Sequence, residues 1–434
     1  MKVSFTSLGC AKNLIDSEQM LSLLVQAGHE PVADPTEAEA AVVNTCAFVE
    51  AAQSEAIETI LSLAELKKTG SLKRLIVTGC LAQRFSEELL TELPEIDAAL
   101  GTASFPDIVQ ALESEPTPFT RFADKNAPLP ELDRAVTTGP GWAYIKIADG
   151  CDNHCAYCVI PSIRGRFRSR PLQSILDEAA RLAEAGVKEL ILVAQDVTRY
   201  GRDLRDGTTL CTLLRELVNI PGLEWIRLHY LYPDEITDEL IDLIATEPKI
   251  VHYLDIPIQH VNNAILRRMR RRDTRESIEA LFDKLRRKIP DCALRTSLIV
   301  GLPGEGEAEF AELLDFLQQQ RLPRAGVFTF SPEEGTAAAD MPDRCAPEEA
   351  AARRDTVMAL QERVMDEYDA ARVGQTLRVL CQAEEDGVLF GRSYADSPDV
   401  DEGVIFTGNA VPGEFCDVKI LSAENGNLIG VTVE

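Results

Sequence analysis

No stretch of this 434-residue chain approaches the ~20 consecutive apolar residues needed to span a bilayer. Its start, Met1-Lys2-Val3-Ser4-Phe5-Thr6, runs into Gly9, Cys10 and Lys12 without an apolar core or cleavage site, so a secretory leader is not expected. With 45% hydrophobic and 26% charged residues, the composition is neither disordered nor collagen-like. These features predict a soluble cytoplasmic protein, and at roughly 150 residues per domain the length predicts about three domains. An excess of basic charge is also lacking: 44 Lys and Arg face 71 Asp and Glu, net -27. Residues 1–117 hold 7 basic and 18 acidic groups, 118–369 hold 33 and 42, and 370–434 hold 4 and 11. Acidity is spread over the whole chain. Phosphate backbones are bound through Lys and Arg, so a general nucleic-acid-binding module is disfavoured, and a basic protein partner fits better. The same charge could also serve solubility alone.

The apolar pattern divides the chain. Residues 1–117 alternate strands (Lys2–Ser7, His29–Ala33, Ala41–Thr45, Arg74–Thr78, Ala98–Leu100) with helices (Asp16–Ala27, Ala51–Lys67, Ser86–Leu93). Continuous Val/Ile/Leu runs alternating with helices predict a doubly wound parallel sheet. Residues 118–140, in a Pro-rich region (Pro116, Pro118, Pro128, Pro130), read as a linker. From 141 to 369, strands at Tyr144–Ala148, Glu189–Ala194, Trp225–His229, Tyr253–Ile256, Ser297–Val300 and Gly326–Thr329 alternate with helices. Six βα repeats predict a partial or full barrel with its chemistry at the carboxyl ends of the strands. Pro347–Arg372 reads as one charged helix. Residues 370–434 carry five short strands separated by turns such as Asp386-Gly387, which predicts a small antiparallel β-barrel of oligonucleotide-binding size.

Cysteine is what the chain has in quantity, eleven in all. Disulfides are disfavoured in a reducing compartment, so metal or catalytic roles come forward. The strongest signal is Cys151-Asp-Asn-His-Cys155-Ala-Tyr-Cys158, just after the first barrel strand. Three thiolates so spaced can each hold one iron of a four-iron cluster and leave the fourth iron open. The alternative is a structural zinc site, which closes with four ligands; the candidate fourth, His154, lies between two of the others. Cys10, Cys46 and Cys80 are distant in sequence, yet each follows the carboxyl end of a predicted parallel strand, the edge where open α/β sheets bind ligands. They could converge there, or be three unrelated core cysteines. Cys211, Cys292, Cys345, Cys381 and Cys416 show no ligand spacing and read as core residues.

The Cys151–Cys158 spacing, with Tyr157 before the third cysteine, resembles the radical S-adenosylmethionine (SAM) superfamily. The resemblance implies a 4Fe-4S cluster whose open iron binds the amino and carboxylate groups of SAM. One electron then cleaves SAM to a 5'-deoxyadenosyl radical. Ser7-Leu-Gly-Cys10-Ala-Lys-Asn13, Val43-Asn-Thr-Cys46 and Thr78-Gly-Cys80-Leu-Ala-Gln83 narrow this to a resemblance to the methylthiotransferase family. Gly9-Cys10-Ala-Lys12-Asn13, His229-Tyr-Leu-Tyr-Pro233, Leu254-Asp-Ile-Pro-Ile-Gln-His260 and Ser397-Pro-Asp-Val-Asp401 resemble the branch that modifies a ribosomal protein.

That resemblance implies a second 4Fe-4S cluster on Cys10, Cys46 and Cys80, a radical SAM core and a C-terminal TRAM barrel. It implies methylthiolation of an aspartate β-carbon on the twelfth small-subunit ribosomal protein, with two SAM per turnover, a reductant and a sulfur donor. The alternatives are methylthiolation of a tRNA adenosine and a non-enzymatic electron carrier with an RNA-binding tail. SAM contacts are expected at Tyr157, at Gln195 and Asp196 (or a strand-end cap there), and at Gly301 (or a turn). Gly301-Leu-Pro-Gly-Glu-Gly-Glu307 departs from the family, which more often has Phe after the first Gly and Thr after the first Glu. The stretch Arg267–Lys288, with ten basic against four acidic residues, could touch RNA or be a solvated face. His229, His252 and His260 read as core histidines. In residues 376–434 three basic groups (Arg378, Arg392, Lys419) stand against Glu384, Glu385, Asp386, Asp396, Asp399, Asp401 and Glu402, a surface expected to repel tRNA.

Overall fold

Strands Ala40–Thr45 and Arg74–Gly79 are buried at all six positions, and their uninterrupted apolar runs suit a sheet covered on both faces. The computed structural model describes every residue except 87, 116, 117 and 434; Pro116 and the boundary position 117 therefore lie outside the described residues. Strands β1 (Lys2–Ser7), β2 (Glu30–Val32), β3 (Ala40–Thr45), β4 (Arg74–Gly79), β5 (Ala98–Leu100) and β6 (Phe119–Arg121) form a sheet in the order β2-β1-β3-β4-β5-β6, with every pair parallel. β6 corrects the expected linker: its three residues, half-buried to exposed at the sheet edge, carry no apolar pattern, and only pairing with β5 makes them a strand. The expected helix Ser86–Leu93 reduces to Leu89–Glu92, and a separate short helix, Cys80–Arg84, begins on the cysteine itself.

The chain forms two compact units. The first comprises Met1–Thr137, Ala148–Arg170 and Glu333–Thr336. Residues 148–170, expected as part of the barrel core, belong to this unit because Val159 and Ile163 pack into the same apolar cluster as Cys80, Leu81 and Ala82.

The second unit contains β7 (Trp142–Lys146); the ribbon β8 (Ala148–Asp149) with β9 (Arg168–Ser169) intervenes in sequence but belongs to the first. It continues with β10 (Glu189–Val193), β11 (Trp225–Leu228), β12 (Ile250–Asp255), β13 (Ala293–Val300) and β14 (Arg324–Thr329), an open parallel sheet ordered β14-β13-β12-β11-β10-β7. All six expected barrel strands are present. Helix Arg275–Lys288 starts at a capping box in which Thr274 Oγ1 accepts from Ser277 N and Ser277 Oγ accepts from Thr274 N.

Strands β15 (Thr376–Glu385), β16 (Val388–Arg392), β17 (Val404–Thr407), β18 (Phe415–Glu424) and β19 (Asn427–Thr432) close into a barrel, β15-β16-β17-β19-β18. It is not wholly antiparallel: β17 and β19 run parallel. An odd ring of strands cannot alternate direction throughout, so at least one pair must match. Within this unit the barrel is tied to the six-stranded sheet by buried ion pairs. Glu189 accepts from Arg227 at 2.7 Å and Arg392 at 2.6 Å, and Arg324 reaches Asp396 at 3.0 Å. No helix among the described residues is long and apolar enough to cross a membrane.

Candidate functional site

Register places β1, β3 and β4 side by side, with Ser7 opposite Asn44, Asn44 opposite Thr78, and Thr45 opposite Gly79. Cys10, Cys46 and Cys80 therefore leave the same edge of the sheet. Gly9 and Gly79 make the close turns possible. Both have left-handed φ (+92° and +94°); a Cβ on Gly9 would lie 2.7 Å from Cys46 Cβ, and one on Gly79 would lie 2.3 Å from Asn44 Oδ1. Asn13 fastens the turns by donating from Nδ2 to Leu8 O at 3.0 Å and Thr45 O at 2.8 Å. Asn44 returns a bond from Nδ2 to Asn13 O at 2.7 Å.

The three thiols at this edge are shifted in different directions. Cys10 caps helix Ala11–Gln26; burial would raise its pKa, but the charges of Lys12 and Arg164 and the amide N–H groups of Asn13 and Lys12 outweigh that and hold it low. Burial, then the neighbouring Cys10 thiolate, raises Cys46. Burial pushes Cys80 up to about 12, with Arg164 opposing and the thiolates of Cys46 and Cys10 adding to the rise. Thiols raised by a neighbouring thiolate, as Cys46 and Cys80 are, fit a cationic centre able to take them as thiolates. Among the described residues no three His, Cys, Asp or Glu side chains close around a single ion. Thiolates that each bind a different iron stand further apart than ligands of one ion.

The second set lies in one loop of the same unit. Gly150 is forced: a Cβ there would meet Arg166 O at 2.0 Å. Cys151 N donates to Gly165 O at 3.1 Å, Asn153 N to Cys151 Sγ at 3.4 Å, and Cys158 N to Cys155 O at 3.1 Å. Burial, then the Cys155 thiolate, drives Cys158 well above the ordinary thiol range. His154 is exposed and Tyr157 half-buried.

In the second unit Gln195 and Asp196 follow the carboxyl end of β10. Asp196 is fully buried, accepts from Thr198 Oγ1 and pairs with Arg199 at 3.4 Å. Gly301, after β13, has φ +77°, and a Cβ would stand 2.7 Å from that of Ala350, so the fold alone requires glycine there. Its N–H donates to Glu305, which also faces His260 at 3.5 Å. His229 is buried against Ser397 at 2.8 Å, whereas His252 is only half-buried and pairs with Asp291. Of the remaining cysteines Cys211 and Cys381 are buried, and Cys292, Cys345 and Cys416 are half-buried.

Asn13, Asn44 and Arg164 bond at this edge, and spacing did not single them out. Asn13 and Asn44 stood in the motifs beside Cys10 and Cys46, but their partners are remote in sequence. Gly79→Ala is expected to cost about 2–4 kcal/mol through strain and overlap, read as a lower urea midpoint. Gly70→Ala, with φ +86° but open space around its Cβ, should cost about 1 kcal/mol.

Three cysteines in one loop after a parallel strand are the arrangement of a radical SAM protein. Residues 145–317 match the radical SAM superfamily, 2–101 the uncharacterized protein family UPF0004, and 373–433 the TRAM domain. The chain is 48% identical over 439 residues to the ribosomal protein uS12 methylthiotransferase RimO of Lachnoclostridium phytofermentans, covering 99% of both chains. It is 47% identical to the RimO of Geobacter sulfurreducens, over 99% of this chain and 98% of that one. The chain thus belongs to the RimO family of radical SAM methylthiotransferases, enzymes that use an iron–sulfur cluster and SAM to transfer a methylthio group. Its fold resembles that of the radical SAM methyltransferase TsrM from Kitasatospora setae, at TM-score 0.55 and 15% identity over 90% of this chain and 77% of that one.

Proposed function

We propose that this enzyme inserts a methylthio group at the β-carbon of an aspartate of ribosomal protein uS12. Relatives named ribosomal protein uS12 methylthiotransferase align over 99% of the chain, and the charge distribution around the C-terminal barrel agrees with a basic protein substrate. Glu384, Glu385, Asp386, Asp399 and Glu402 are exposed. Asp396 and Arg392, expected on that surface, are instead buried: Asp396 with Arg324, Arg392 with Glu189. Asp401 is half-buried and accepts from Tyr253 Oη at 2.6 Å. Of the other basic residues, Arg378 pairs with Glu224, and Lys419 is tied to Gly374 O. The basic stretch Arg267–Lys288 is largely neutralised within its own unit. Arg268, Arg271, Arg272, Arg275, Lys284 and Lys288 all pair with carboxylates. A tRNA backbone finds little free positive charge here, whereas a Lys/Arg-rich protein finds complementary charge.

Cys151, Cys155 and Cys158 would hold the cluster that, when bound, supplies the electron for SAM cleavage. Cys10, Cys46 and Cys80 would hold a second. Asn13 and Asn44 fix the turns that carry this second set, and Arg164 with Lys12 offsets its negative charge. An unactivated C–H carbon is not open to polar sulfur insertion, which is why radical chemistry suits the substrate. Each turnover needs a sulfur donor, a reductant and two SAM, one giving the methyl group and one the radical. The test is competition. The enzyme, offered uS12 and unmodified tRNA together, is expected to add methylthio mass to the protein alone, and to bind it more weakly as salt rises. Mass gain on the tRNA alone would overturn the reading.

A further inference from the structure

Arg164 is only 2% exposed, yet it is held by side chains from three other parts of the chain and lies just six residues after Cys158. From Nη1 it donates to Asp16 Oδ2 at 2.8 Å and Asp149 Oδ2 at 3.0 Å. From Nη2 it donates to Asn13 Oδ1 and faces Cys80 Sγ at 3.7 Å. Asp16 lies on the helix that Cys10 caps, Asn13 is the residue that fastens the Cys46 turn, and Asp149 stands two residues before Cys151. Thr102 Oγ1 accordingly bonds Ile163 O at 3.2 Å, anchoring the short helix Ile160–Arg164 to the first sheet.

One carboxylate balances one guanidinium and Arg164 has two, so ion pairing by itself does not call for Asn13 and Cys80 as partners. The additional contacts turn the cation toward the thiol edge, with Nη2 3.7 Å from Cys80 Sγ. A planar guanidinium can reach all these partners at once, and an ammonium cannot.

We propose that Arg164 is a positioning residue for the Cys10/Cys46/Cys80 site. Its charge sets how readily that site takes up an electron, and its fork fastens the helix trailing the Cys151–Cys158 loop to the three-thiolate edge. This rests on the reading of those three cysteines as cluster ligands. The charge effect follows from Coulomb's law in a buried site, where one positive charge stabilises each added negative charge. The fork effect follows from the general role of groups that orient metal ligands without binding the metal.

The test uses the full-length chain with C151A/C155A/C158A, reconstituted anaerobically, so that iron can reside only on the first set. Iron content, electron paramagnetic resonance, midpoint potential and the rate of iron loss to a chelator are then compared for Arg164, R164K and R164Q. With R164Q the reduction equilibrium is expected to shift about tenfold toward the oxidised form, about 59 mV for one electron. R164K should recover most of the potential while still losing iron about tenfold faster than the Arg164 chain, because the ammonium cannot hold all the partners. Equal potentials and equal loss rates in all three chains would overturn the proposal and leave Arg164 a structural ion pair. If R164Q fails to fold by circular dichroism, D16N is compared with R164Q/D16N, a pair that again differs by one positive charge, with the same expected and overturning results. Absence of iron from the Arg164 chain would instead overturn the assignment of Cys10, Cys46 and Cys80 as ligands, and the proposal with it.

Discussion

Replacing Cys10, Cys46 and Cys80 together by alanine is expected to take the reconstituted protein from about eight irons per chain to about four. SAM cleavage should survive, because Cys151, Cys155 and Cys158 are untouched, so 5'-deoxyadenosine still accumulates. Methylthiolation of uS12 should fall to background. The complementary triple change at Cys151, Cys155 and Cys158 should also remove about four irons but abolish 5'-deoxyadenosine altogether. The two variants thus separate sulfur insertion from radical generation, which iron counting alone would not. An iron content of about four in the unaltered chain would sink the two-cluster reading. Unchanged iron in the first variant would make its three cysteines ordinary residues of a sheet edge.

Glu189→Ala is expected to destabilise the second unit by about 3–5 kcal/mol, read as a lower urea midpoint. Glu189 is completely buried and accepts from Arg227 Nε at 2.7 Å and Arg392 Nη2 at 2.6 Å. Removing it leaves two guanidinium groups in the interior with one less carboxylate. Arg227 keeps only its bonds to Tyr394 O and Ser393 O and its place 4.8 Å from the Tyr253 ring. The pH dependence has a definite sign. Burial would raise the Glu189 pKa, but the charges of Arg227 and Arg392 outweigh it, so the native value lies below the usual carboxylate range. The stabilisation is therefore complete above the unfolded value of about 4.3 and is lost as pH falls through the native one. The urea midpoints of the parent and E189A should converge as the medium is acidified below about pH 4. A gap that stays constant would show that the ionised carboxylate is not what holds the two arginines.

The features legible in the sequence were the local ones. The Cys151–Cys158 loop announces itself because three cysteines within eight residues need no tertiary contact to come together. The six strands from Trp142 to Thr329 were equally visible, since a parallel strand buried on both faces is a continuous apolar run and the helices between have their own period. Cys10, Cys46 and Cys80 were half-legible: each ends a readable strand, but a strand end does not say which strands are neighbours. β6 was invisible, because a three-residue edge strand of half-buried and exposed side chains leaves no pattern.

Tertiary structure alone decided the rest, and in each case the reason is that charge and pairing are settled between remote residues. The order β1-β3-β4 is what turns three separate cysteines into one edge. Arg164 reads as one more base after a cysteine loop until Asp16, Asn13 and Cys80, up to 151 residues away, surround it. Composition counted Arg392 and Asp396 as surface charge, yet both are buried because partners on the neighbouring sheet, Glu189 and Arg324, neutralise them there. Closing five strands into a ring made β17 and β19 parallel, a constraint of counting that no single strand carries. Residue order alone supplied one three-cysteine loop, three cysteines at strand ends and an acidic chain. Only the fold decided which thiols share an edge, which charges reach solvent, and which cation stands beside the sulfur.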